Sequence, residues 1–137
     1  MLQDFSFNMF AVIVGILVNM IIGTLWYSPL LFGKMWLEMI GKGSDEISKK
    51  DANKSMSFAI IPAAVSAFGL AFLVGIAHAD TVTDALLIGS LASVVFSGMS
   101  ALNLVLFEGR SLKLSLLNTG YFVVSWNIVS VIITLWK

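Results

Sequence analysis

The chain predicts an all-α polytopic membrane protein with four transmembrane helices and a short interfacial helix after the first. Three observations carry this. Four apolar runs, at 7–27, 58–77, 85–106 and 114–136, contain no Lys, Arg, Asp or Glu. Each reaches the roughly 20 residues that a helix needs to cross a hydrocarbon core about 30 Å thick. The third is composition: 58% of the 137 residues are hydrophobic and the mean hydropathy is +0.96, against about 45–50% apolar residues in a soluble domain. No polar face is left to cover such an excess in water, so one membrane domain over 1–137 is the expected organisation.

The first run is expected to be a retained helix. The tail before it carries Asp4 and no basic residue, and the run ends in Trp26-Tyr27-Ser28-Pro29, unlike a basic leader with a small-residue cleavage site. In the connection that follows, Ser28 is expected to cap a helix with Pro29 at its first position, where the missing N–H costs nothing. That helix, at about 29–40, is too short to span and should lie at the interface with Trp36 at headgroup depth. Gly41-Lys42-Gly43 breaks it. Ser44-Asp45-Glu46-Ile47 then reads as a cap and acidic first turn, opening a helix that can run into the second span. Pro62 should bend that span near its start. Between spans two and three, Asp80, Thr81 or Thr83 is expected to cap the third.

Orientation follows from the basic residues. Lys34, Lys42, Lys49, Lys50, Lys54, Arg110 and Lys113 lie in the first and third connections, and only Lys137 on the opposite side. An excess of Lys and Arg marks the cytoplasmic side, so both termini and the second connection are expected outside. The expected location is a prokaryotic cytoplasmic membrane.

In lipid, helices associate through close packing and hydrogen bonds, which favours small residues at contacts. Span two repeats Ala59, Ala63, Ala67, Ala71, Gly75 and Ala79 at four-residue steps, and span one Ala11, Gly15, Asn19, Gly23 and Tyr27. Span three places Ser90, Ser93, Ser97 and Ser100 on one stripe of a regular α-helix, and span four has Asn118, Tyr121 and Ser125. Gly15, Gly23, Ala63, Ala67, Ala71, Gly75, Ser93 and Ser97 are the expected packing positions.

Polar groups inside a membrane are costly and often functional. Asn19, Trp26, Tyr27, Asn103, Glu108, Asn118 and Tyr121 fall toward the Lys-rich side and together predict a polar pocket open to the cytoplasm. Cross-helix hydrogen bonding by the Asn residues is the alternative use. Glu108 either pairs with Arg110 in an exposed turn or turns inward beneath Asn103 and Asn118. His78, Asp80 and Asp84 are weak candidates for a divalent metal, since capping explains the acids equally well. Nothing else calls for a cofactor. Net charge is zero and there is no Cys, which gives no case for a nucleic-acid partner and removes disulfides and thiolate chemistry. No phosphate-binding Gly-rich loop, GxSxG or His cluster is present.

Two segments carry a resemblance. Trp26-Tyr27-Ser28-Pro29-Leu30-Leu31-Phe32-Gly33-Lys34-Met35-Trp36 closes the first span. Leu106-Phe107-Glu108-Gly109-Arg110-Ser111-Leu112-Lys113 is followed by Leu117-Asn118-Thr119-Gly120-Tyr121. Together they resemble the domain-of-unknown-function family numbered 1761, small four-helix membrane proteins, over nearly the whole chain. Many members carry His after that Tyr, where this chain has Phe122, so shared proton chemistry is not implied there. The resemblance implies no activity. It singles out Trp26, Tyr27, Phe32, Gly33, Trp36, Glu108, Asn118 and Tyr121.

The expected function is a homo-oligomeric structural or small-ligand-binding membrane module, with lipid and further copies of itself as partners. A channel or carrier for a small solute is the second reading. A membrane-embedded enzyme using Glu108, with Tyr27 or Tyr121 as donor, is the third.

Overall fold

The computed structural model describes residues 6–43 and 45–136. Asp4, Ser44 and Lys137 lie outside the described residues. Every regular element among those described is helical: α1 (Met9–Trp26), α2 (Gly33–Met39), α3 (Lys49–Phe58), α4 (Ile60–Ile76), α5 (Val82–Ser90), a π-helical segment (Leu91–Gly98), α6 (Met99–Glu108) and α7 (Leu112–Leu135). Among the described residues, four helical stretches are long and apolar enough to cross a membrane: Met9–Trp26, Lys49–Ile76, Val82–Glu108 and Leu112–Leu135.

Span one opens on Asn8, whose carboxamide oxygen accepts from the Phe10 amide at 2.9 Å. Beyond Trp26 the chain folds back at once. The Phe32 amide donates to the Trp26 carbonyl at 3.0 Å and the Gly33 amide to the Ser28 carbonyl at 2.8 Å. The interfacial helix therefore begins at Gly33, four residues later than expected from Ser28 and Pro29. Ser28 is the hub of a turn, its hydroxyl donating back to the Leu25 carbonyl at 2.7 Å. A Cβ at Gly33 would lie 2.6 Å from the Ser28 carbonyl carbon and the Tyr27 carbonyl oxygen, so this return needs glycine.

The charged helix also starts later than expected. Its cap is Ser48, which accepts from the Asp51 amide at 3.1 Å, and residues 45–47 form no helix. It runs into span two with one interruption, at Ala59. Pro62 explains this: it has no N–H to give the Phe58 carbonyl four residues back. Span three is capped by Thr81 and not by Asp80 or Thr83. The Thr81 hydroxyl accepts from the Asp84 amide at 3.1 Å and the Asp84 carboxylate accepts from the Thr81 amide at 3.0 Å. Gly109, at φ +68°, ends the span, and Ser111 caps α7.

Span four is the centre of the bundle and packs against α1, α4, α5 and the π segment. The core mixes alanines with branched residues: Ala11, Ala67 and Ala71 with Val12, Leu70, Val74, Val129 and Ile133. Of the expected packing positions, Gly15, Ala63, Ala67, Ala71 and Ser93 are buried, and Gly23, Gly75 and Ser97 are half-buried. A Cβ at Gly15 would stand 3.0 Å from Val129 Cγ1. Spans three and four approach still closer, where a Cβ at Gly89 would lie 2.8 Å from the Asn127 Cα.

The π segment breaks the expected serine stripe at its last member, Ser100. Wider winding advances each residue by less than the 100° of an α-helix. Ser93 stays buried, but the phase then slips, so that Gly98 faces the bundle and Ser100 is exposed. Two serines bracket the slip. The Ser93 hydroxyl donates to the Gly89 carbonyl at 2.7 Å and that of Ser100 to the Phe96 carbonyl at 2.7 Å.

Candidate functional site

The site sits between spans one and four, at the end of the bundle that carries the Lys-rich connections. Its geometry grows from two glycines and two aromatic residues. Gly23 on α1 leaves room for the Tyr121 ring: a Cβ there would be 3.3 Å from the phenol oxygen. Gly120 on α7 leaves room for the Trp26 indole, 3.2 Å from where its own Cβ would be. Each helix thus lays one large ring on the other's glycine, which brings the two backbones close.

That closeness sets up three hydrogen bonds between the helices. The Tyr121 hydroxyl donates to the Asn19 carboxamide oxygen at 2.7 Å. The Tyr27 hydroxyl donates to the Asn118 carboxamide oxygen at 2.7 Å. Trp26 Nε1 donates to the Leu117 carbonyl at 3.2 Å, a backbone acceptor near the start of α7. Asn19 is 3% exposed, so its carboxamide depends on a protein partner. Tyr27, Tyr121, Asn118 and Trp26 are half-buried.

The rings form one cluster. Trp26 and Phe32 stand 4.7 Å apart between centroids, Tyr27 and Trp36 5.4 Å, and Tyr27 and Tyr121 5.7 Å. Tilted and edge-on contacts of this kind each contribute about 0.5–1.5 kcal/mol beyond burial. The fold-back at Ser28–Gly33 is what returns Phe32 and Trp36 to the cluster. Chemically, the arrangement offers phenols, carboxamides and aromatic faces, without a charged side chain in these hydrogen bonds.

Five of the seven expected ligand-pocket residues come together: Asn19, Trp26, Tyr27, Asn118 and Tyr121. Asn103 and Glu108 do not join them. Asn103 is exposed on the outer face of α6. Glu108 does not turn inward; Gly109 reverses the chain and lets the Glu108 carboxylate accept from Arg110 Nε at 2.8 Å, with both side chains about half exposed. The weak metal candidates are not assembled either. Asp84 is engaged in the Thr81 cap, and among the described residues no group of three His, Cys, Asp or Glu could hold a metal ion. His78 ends the second span in the left-handed region, at φ 50°.

Sequence reasoning missed Gly120 as a seat for Trp26 and the Leu117 carbonyl as its acceptor. It singled out Phe32 and Gly33 only through the family resemblance, and placed Trp36 at headgroup depth without bringing it to this cluster. The available signal was a glycine immediately before Tyr121, facing an aromatic residue at the end of span one.

The fold and site define the class: a four-span helical membrane protein whose first and last spans are joined by an aromatic and carboxamide junction at the Lys-rich end. The model of the family described as protein of unknown function DUF1761 matches residues 10–134, and the chain belongs to that family. No curated protein and no solved structure matches it.

Proposed function

We propose that the protein is a homo-oligomeric membrane module that binds a small polar ligand at the junction of spans one and four. The observation that carries this is the pair of phenol–carboxamide hydrogen bonds, Tyr27 to Asn118 and Tyr121 to Asn19. Groups of this kind inside a membrane are costly, and here two pairs gather beside a cluster of aromatic rings. The Tyr27–Asn118 pair is half-buried, so a ligand with one donor and one acceptor could replace it while its body lies against Trp26 and Trp36. In this reading the Lys-rich connections face the cytoplasm and both termini lie outside, in a prokaryotic cytoplasmic membrane.

The experiment is a titration of the protein in nanodiscs with a set of small amides, alcohols and short-chain amphiphiles, read by tryptophan emission. Trp26 and Trp36 flank the site and report on it directly. A saturable change in the wild type that is lost in Asn118→Leu supports the reading. Saturable changes that all survive Asn118→Leu, or none at all, overturn it.

A second reading, passage of a small solute, has an observation of its own. At the opposite end an open cavity of about 460 Å³ is lined by Asn8, Gly75, His78 and Ile133 among others. On α7 the hydroxyls of Ser130 and Thr134 are buried and have no hydrogen-bond partner. Proteoliposomes that retain every small solute tested would sink it. The enzyme reading draws no support, because Glu108 is paired with Arg110 away from the junction.

A further inference from the structure

The π segment has a consequence for what span three shows to its surroundings. Take Ser93, fully buried, as the direction of the bundle. In an unbroken α-helix Ser100 would return to that direction, and Asn103 would lie roughly 80° to its flank. In the π segment each residue turns by roughly 80° instead of 100°. Over residues 93–98 this delays α6 by about a quarter turn. Gly98 then faces Thr119, and Asn103 points almost directly away from the bundle.

The outward ridge so formed runs Val95, Met99, Asn103 and Phe107 at four-residue steps. It is strongly exposed, Phe107 at 85%. Asn103 is the polar residue on that ridge, and its carboxamide makes no hydrogen bond within the bundle. It stands about 7 Å along the helix from Glu108, within the apolar stretch. A carboxamide facing hydrocarbon lacks both a donor for its oxygen and an acceptor for its NH2. The group that answers both needs is another carboxamide, since each supplies what the other lacks.

We infer that the outer face of α6 is the contact between two copies of this chain, with Asn103 paired to the partner's Asn103 across a two-fold axis along the membrane normal. The inference rests on the homo-oligomer reading above. Copies inserted the same way round place their third spans parallel, so Asn103 meets its equivalent at equal depth. Such a contact uses the same patch on both copies, as a two-fold axis requires. Met99 and Phe107 flank the pair one turn to either side and exclude lipid from it.

The chain has no Cys, so each introduced thiol is unique. The test is disulfide cross-linking of single-Cys variants in dilute lipid vesicles. F107C and M99C on the ridge, which leave Asn103 in place, are compared with L17C and V65C, which are also exposed but lie on spans one and two. The expected result is covalent dimer from F107C and M99C and little from L17C or V65C. Adding Asn103→Leu to M99C should weaken dimerisation roughly tenfold, and Asn103→Gln should retain it. Equal cross-linking at all four positions, or ridge thiols no more reactive than the controls, overturns the inference. The native mass of the wild type in nanodiscs separates the two claims. An oligomer without ridge cross-links removes this contact and leaves the assembly reading standing, whereas a monomer removes both.

Discussion

The two halves of span four solve the same problem in opposite ways. Toward the Lys-rich end, Asn118 and Tyr121 each have a side-chain partner on or just beyond span one, at 2.7 Å. Toward the other end, Ser130 and Thr134 are as deeply buried as anything in the bundle, and neither their hydroxyls nor the Trp126 indole N–H has a partner. The difference lies in what each residue contributes. Tyr121 and Trp26 are large and need a glycine opposite, so their positions follow from directed bonds and matched shape. Ser130 and Thr134 are small. They let neighbouring helices approach, and their hydroxyls are tolerated rather than used. One half is specified by hydrogen bonds, the other by size.

Substitutions test that contrast, and the largest effect is expected where the junction is anchored. Gly33→Ala would drive a Cβ into the backbone of Tyr27 and Ser28, which cannot move aside as a side chain could. The expected loss is about 3 kcal/mol, read by unfolding in mixed micelles. Phe32 and Trp36 should loosen with it, seen as a red shift in tryptophan emission.

Next is Tyr121→Phe. It keeps the ring on Gly23 but leaves the buried Asn19 carboxamide without its donor. Such an orphaned group costs about 1–3 kcal/mol. Tyr27→Phe should cost less, about 1 kcal/mol, because Asn118 is only half-buried and water can replace the phenol. A Tyr27→Phe cost equal to that of Tyr121→Phe would erase the distinction in depth between the two pairs.

The smallest effects, and of opposite sign, belong to the other half. Thr134→Val removes an unpartnered buried hydroxyl and keeps the shape, so it should be neutral or stabilise by up to about 1 kcal/mol. Ser130→Ala should behave alike. A clear loss at either position would mean that the hydroxyl serves a purpose, and would favour the solute-path reading.

Much of this was legible in the sequence for physical reasons. Span lengths are dictated by membrane thickness, and the small residues of α4 by the closeness of helix contacts, so Ala63, Ala67 and Ala71 could be placed without coordinates. The gathering of Asn19, Tyr27, Asn118 and Tyr121 was legible too, because polar side chains at similar depth have few other partners. Helix starts were less so. Ser28-Pro29 and Asp45-Glu46 each carry good helix-start chemistry, yet the helices begin at Gly33 and just after Ser48. Local propensity does not register that the Trp26 carbonyl takes the Phe32 amide. The π segment left no trace at all. Its serines fit an α-helical stripe better than the winding they adopt, and the slip depends on Gly89 and Gly98 meeting Asn127 and Thr119 across a contact that no local pattern encodes. Asn103 was misplaced by the same slip.

The central claim is that directed bonds between spans one and four hold the Lys-rich end. A double-mutant cycle on Asn19→Leu and Tyr121→Phe tests it most directly. Each single change should destabilise, and the double change should cost clearly less than their sum, with a coupling of about 1 kcal/mol or more. Strictly additive losses would contradict the account, since the two side chains would then stabilise the bundle independently and the 2.7 Å contact would contribute nothing of its own.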